Sequence, residues 1–130
     1  MNTQPDTTPA ETGQGGVEAF HFLAWSWNVT TANTYAEGRP TTGRLDPRKW
    51  SGYLGAIRID EAHVGEVDLS VPLIAVPIPN AGPFVIDGWH RIARALREGV
   101  TDLRVVVLTA EEEYACRIYG GDKVPGPWIR

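Results

Sequence analysis

The sequence predicts an α+β fold, a small mixed sheet with helices packed on it, and three stretches carry that prediction. Residues 103–108, L-R-V-V-V-L, form the strongest β-type run in the chain. Residues 92–98 have helical spacing, with Ile92, Ala95 and Leu96 on one face and Arg91, Arg94 and Arg97 off it. Thr109-Ala110-Glu111-Glu112 is a capping-box pattern that opens a further helix to about residue 118. The composition agrees: 130 residues, 42% hydrophobic and 22% charged, hold one modest core and exclude a collagen-like or wholly disordered chain.

Taken in order, residues 1–16 are almost devoid of apolar side chains, so ordering them costs backbone entropy with no burial to offset it, and they read as a disordered tail. Residues 17–130 read as a single domain with its core over about 57–118. Residues 19–27, A-F-H-F-L-A-W-S-W, predict one strand with Phe20, Phe22 and Ala24 on one face and His21 on the other. Residues 28–47 are polar and broken by Gly38, Pro40, Gly43 and Pro47, which predicts a long surface excursion. Asp46 and Pro47 then look like the N-cap and first position of a short helix over 48–54, ended by Gly55.

Residues 57–64 fit a strand running into a turn or a short helix, and periodicity does not choose. The apolar run 71–78, V-P-L-I-A-V-P-I, carries two prolines. A strand there belongs at an edge, or places its prolines where no partner needs an N–H. A turn over 80–83 leads to the β-type Phe84-Val85-Ile86, and Gly99 suits the end of the following helix. After Gly120 and Gly121 the chain to Arg130 reads as irregular.

Charge and cysteine usage narrow the function classes. Twelve Lys and Arg against 16 Asp and Glu give a net charge of −4, so the molecule as a whole is not a polyanion binder and any nucleic-acid contact must be local. Residues 61–90 contain Glu61, Glu66, Asp68 and Asp87 with no Lys or Arg, whereas 91–108 contain four arginines against two acids, a switch of sign that marks a candidate site. A lone cysteine, Cys116, makes neither an internal disulfide nor a cysteine zinc cluster. With no basic and apolar leader over 1–16, and no run approaching the roughly 18 apolar residues of a membrane span, the expectation is a cytoplasmic protein without a membrane partner.

The chemistry concentrates in residues 84–97, F-V-I-D-G-W-H-R-I-A-R-A-L-R. A strand passing through a tight turn into a helix gathers main-chain N–H groups and the positive end of the helix dipole, a setting for an anion. Gly88 permits close approach or a positive φ, His90 can donate from its ring, and Arg91 offers a planar fork for phosphate oxygens. Gly88, His90 and Arg91 are therefore the candidate phosphate-binding residues, and Asp87, Trp89 and Arg94 stand beside them in the same turn and helix as further candidates.

Asp87-Gly88-Trp89-His90-Arg91, the Ala- and Arg-rich helix after it, Gly99 and the V-V-V-L strand together resemble the core of the ParB/sulfiredoxin superfamily, over about residues 57–115 and most clearly 84–108. Its members carry an I-D-G-x-H-R-type turn. The resemblance implies a nucleotide: sulfiredoxins use ATP, free-serine kinases carry a D-G-H-H-R version, and ParB partition proteins bind CTP through a G-E-R-R turn. Gly88, His90 and Arg91 match the phosphate-contacting positions, and Asp87 matches the acid of the kinase-like version. Trp89 departs from the pattern, because it stands where sulfiredoxins have their reactive cysteine, and Cys116 lies elsewhere. Sulfiredoxin activity is thereby excluded.

Each residue has a second, purely structural role open to it. Trp89 fits a core or interface anchor as well as a base-stacking platform. Asp87 fits an N-cap as well as a Mg²⁺ ligand beside a nucleotide, and His90 fits a helix-capping role. Arg94 and Arg97 fit a solvated face. Asp60, Glu61, Glu66 and Asp68 are the carboxylates available to a metal ion or as a base, although Asp60, Glu61 and His63 lack ligand spacing and no metal site is assigned. His21, Trp25 and Trp27 fit either a pocket lining or a half-buried strand.

The leading expectation is a nucleotide-binding domain for ATP or CTP, with hydrolase or phosphotransferase activity as its enzymatic form. A non-catalytic nucleic-acid or plasmid-maintenance module is the alternative, although no helix-turn-helix follows the Arg-rich helix. A protein-binding scaffold, with the tryptophans as interface anchors and a homodimer as one form, is the third.

Overall fold

In a computed structural model, which describes residues 17–123, the chain is a mixed α+β structure with two sheets and one shared hydrophobic core. The elements run β1 (Ala19–Phe22), β2 (Trp25–Asn28), α1 (Val29–Ala36), β3 (Gly43–Leu45), a 3-10 segment (Pro47–Ala56), α2 (Glu61–Val64), β4 (Leu73–Ile78), β5 (Gly82–Asp87), α3 (Trp89–Glu98), β6 (Leu103–Val107), α4 (Ala110–Cys116) and β7 (Arg117–Tyr119). The expectations for residues 1–16 and for 124–130 lie outside the described residues. Among the described residues no helix is long and apolar enough to cross a membrane.

The larger sheet has the order β3-β6-β4-β5 and is mixed: β4 runs parallel to β6 and antiparallel to β5, and β3 is antiparallel to β6. Its β4 is an interior strand, so the prolines take the second of the two placements open to them. Parallel pairing with β6 covers only Leu73, Ile74 and Ala75, and Pro72 stands just outside the strand. Pro77 lies beyond β6 and faces Pro83, a pair in which neither residue has an N–H to offer.

Where residues 19–27 predict one strand, the structure has a hairpin. Leu23 takes a positive φ of 54°, and Leu23-Ala24 form the turn between β1 and β2, so Ala24 is exposed rather than on the buried face. Phe20 and Trp27 then share one inner face, and β7 adds antiparallel to β2 to complete a second sheet, β1-β2-β7. That sheet is why α4 stops at Cys116 instead of reaching residue 118: Arg117 turns extended and its strand pairs with Trp27.

The polar stretch 28–47 is not all surface excursion. Asn28 caps α1 by accepting the N–H of Thr31, and Val29 and Ala32 are wholly buried one turn apart. Thr and Asn fill the outer face of that helix, and their low helix propensity hides it from composition. Asp46 does cap the segment after it, which is 3-10 rather than α. Residues 57–64 resolve as the short α2, capped by Asp60. The capping box at Thr109 and Glu112 forms with both of its hydrogen bonds.

Candidate functional site

The strand-to-helix bend is built from β5 and α3. Strand β5 delivers Asp87 to the sheet end opposite Ile74, and Gly88 turns the chain with φ 113°, ψ 16° into the first turn of α3. Only a glycine fits: a Cβ at position 88 would stand 2.3 Å from Leu73 Cδ2 in a backbone region that L residues rarely adopt. The helix carries no side-chain cap, so Gly88 and not Asp87 holds the N-cap position, and the N-cap role open to Asp87 is ruled out.

Asp87 is instead a buried carboxylate, 3% exposed. Asn33 of α1 donates its Nδ2 to Asp87 Oδ2 at 3.4 Å, and Arg91 Nη2 stands 3.7 Å from the same oxygen. Arg91 was expected off the inner face, yet it is 8% exposed. Its Nη2 and Nε lie 3.1 and 3.2 Å from where a Gly88 Cβ would be, so the guanidinium folds back across the bend. The bend thus holds a cation turned inward and, in this conformation, filled over by Leu73 and by Arg91 itself.

His90 is buried and committed to the fold. Its Nε2 accepts the backbone N–H of Asp60 at 2.9 Å, fixing the start of α2 against α3, and its ring meets that of His63 edge-on at 4.8 Å. An accepting Nε2 leaves the ring proton on Nδ1, so Nε2 is not a donor to an anion. Trp89 is 0% exposed, donates Nε1 to the Val85 carbonyl at 2.9 Å and stacks on Phe20; of its two roles, burial selects the core anchor and excludes a base-stacking platform. Arg94 is not brought to the bend. Its guanidinium reaches Glu98 and the carbonyls of Val67 and Gly65.

The four upstream acids separate. Asp60 caps α2, Glu61 pairs with Arg97, and Glu66 stands near His63. Asp68 lies within reach of Arg91's charge: hydrogen bonds from Ser70 hold its carboxyl below the usual range, with the charges of Arg91 and Arg94 adding to the effect. Among the described residues no three His, Cys, Asp or Glu side chains gather as metal ligands.

Two residues of the bend's surroundings were missed in the sequence. Asn33 lies 54 positions before Asp87 and reaches it only because α1 packs beside β4. Glu18 is the other: burial, then the negative charge of Asp87, pushes its carboxyl up to about 7. No motif signals either contact; the Asn28 cap was the legible clue to the helix that carries Asn33.

Elsewhere, Trp25 and Trp27 line a hollow of about 230 Å³ with Phe22, Tyr53 and Phe84, while His21 is on the opposite face beside Tyr119. Lone Cys116 is buried, and its thiol is pushed up to about 11, chiefly by that burial, which makes it unreactive. No family model, curated protein or solved structure matches the chain.

Proposed function

We propose that the bend at residues 87–91 binds the phosphates of a nucleotide such as ATP or CTP, in a domain of the ParB/sulfiredoxin kind. The observation that carries this reading is the inward-folded Arg91 guanidinium, laid across a left-handed Gly88 at the uncapped start of the ten-residue α3. Main-chain amides and the helix dipole at that point favour negative charge, and Arg91 adds a planar fork matched to phosphate oxygens. The 3.7 Å contact with Asp87 is longer than a hydrogen bond, and a phosphate at the bend would offer the guanidinium charge-assisted hydrogen bonds.

Within this reading the ligand set is Gly88 and Arg91, with His90 acting as a positioning residue through Asp60 and Trp89 as the anchor beneath. Mg²⁺ fits as a partner of the phosphates rather than as a resident ion, because Asp87 faces Arg91, Asp68 senses its charge, and a nucleotide-bound Mg²⁺ needs only one or two carboxylates. Bound there, it would neutralise phosphate charge; hydrolysis or phosphoryl transfer is the chemistry that such an arrangement serves.

The test is a calorimetric titration of ATP and of CTP, each with Mg²⁺, into the full chain. Saturable binding of at least one, weakened tenfold or more in Arg91→Ala, is the expected result. Absence of heat from both at millimolar ligand, or equal affinity in the variant, overturns the reading.

A further inference from the structure

We infer that the cavity beside the bend, lined by the second half of α1, receives the base and sugar of the nucleotide whose phosphates occupy the bend. This rests on the phosphate reading above and extends it to a part of the molecule outside the ParB/sulfiredoxin resemblance. The cavity measures about 400 Å³, within the range of small-ligand sites, and Asn33, Thr34, Glu37, Val71, Pro72 and Ile74 are among its walls.

Two connections join it to the bend. Asn33 lines the cavity and donates to Asp87, whose carboxylate faces Arg91. Ile74, at the cavity floor, is the cross-strand partner of Asp87. In addition, Val71 and Pro72 on the rim lead directly into Leu73, the side chain that covers Gly88. A ligand anchored at Gly88 and Arg91 therefore meets Asn33 first and the cavity next.

The wall chemistry fits a flat heterocycle with a polar edge. Ile74, Pro72 and Val71 supply apolar surface, and Thr34 and Glu37 supply hydrogen-bonding groups along one side. Glu37 accepts only, so it matches a donor such as the exocyclic amine of adenine or cytosine, or a ribose hydroxyl. Its negative charge also disfavours phosphate at that end, which fixes the orientation with phosphates toward Arg91. Arg39, itself part of the cavity wall, does not compete, because both of its terminal nitrogens are held by Glu112 at 2.7 and 2.9 Å.

The experiment compares ATP and CTP with inorganic tripolyphosphate, all with Mg²⁺, by calorimetry on the full chain. The better nucleotide is expected to bind at least tenfold more tightly than tripolyphosphate. Val71→Trp fills the cavity from an exposed rim position and should abolish that margin while leaving tripolyphosphate affinity unchanged. Thr34→Trp, on the exposed side of α1, fills it from the other wall and should do the same. Equal affinities in the wild type, or a margin that survives both variants, overturn the base-and-sugar assignment and leave the phosphate reading standing. No binding of any of the three ligands removes the phosphate reading, and this one with it.

Discussion

Asp87 with Arg91 and Glu113 with Arg117 are both carboxylate–guanidinium pairs four residues apart, and both are buried, yet they are built to opposite ends. Glu113 takes Arg117 Nε and Nη2 at 2.8 and 2.7 Å and the indole Nε1 of Trp27 at 2.8 Å. Arg117 also donates to Gly120 O and Asp122 and lies between the rings of Trp25 and Tyr114. That network is closed: every group has a short partner, and it ties α4 to the three-stranded sheet. Asp87 and Arg91 meet at 3.7 Å beside a glycine bend, with Asn33 at 3.4 Å. The same two chemical groups meet through short paired hydrogen bonds in one place and through a longer charge contact in the other.

The largest effect that separates them is on stability. Arg117→Met strands the Glu113 carboxylate in the core and is expected to cost about 3–5 kcal/mol in urea unfolding. Arg91→Met should cost less than half of that, since Asp87 loses a 3.7 Å charge contact and keeps its hydrogen bond from Asn33. Equal losses for the two variants would show that both pairs are struts, and the contrast would disappear.

Gly88→Ala comes next. Positive φ and the approach of Leu73 Cδ2 at 2.3 Å act together, and about 1–3 kcal/mol of destabilisation is expected. Combining it with Leu73→Ala separates the two causes: the double variant recovers the steric part and keeps the backbone part. Full recovery would mean that the left-handed bend itself is unimportant.

The sequence made the bend legible because its signals are local. A β-type run, one glycine and a helix with an inward Ile92 and Ala95 lie within a dozen residues, and α3 ends at Glu98 as that pattern says but begins at Trp89, ahead of the 92–98 spacing. Long-range consequences were not legible. Burial of Arg91 depends on Leu73 and Asp87 together, and the capture of His90 Nε2 depends on the backbone of Asp60 across 30 positions. The second sheet was invisible for the same reason: a hairpin turn at Leu23 and Ala24 contains no Gly, Pro or Asn, and β7 is only three residues long. Helix α1 was hidden by its own composition, and with it went Asn33, Glu18 and the cavity beside the bend.

The smallest expected effect concerns Glu18, which gives the bend a pH dependence. Its carboxyl is raised from an ordinary 4.5 to about 7, first by burial and second by Asp87. The folded chain therefore holds that proton more tightly than the unfolded chain does. Stability conferred by the neutral form is fully present below pH 4.5, declines between about 4.5 and 7 and is flat above, so the slope of stability with pH is negative across that window. Glu18→Gln should remove this component of the slope when urea midpoints are compared from pH 4.5 to 8. Because Asp87 is the second cause, Asp87→Asn should lower the Glu18 titration midpoint in a carboxyl-selective NMR titration without restoring 4.5, burial remaining in place. An unchanged midpoint in Asp87→Asn would show that the two carboxylates do not sense each other, and Glu18 would then belong to the chain entering β1 rather than to the bend.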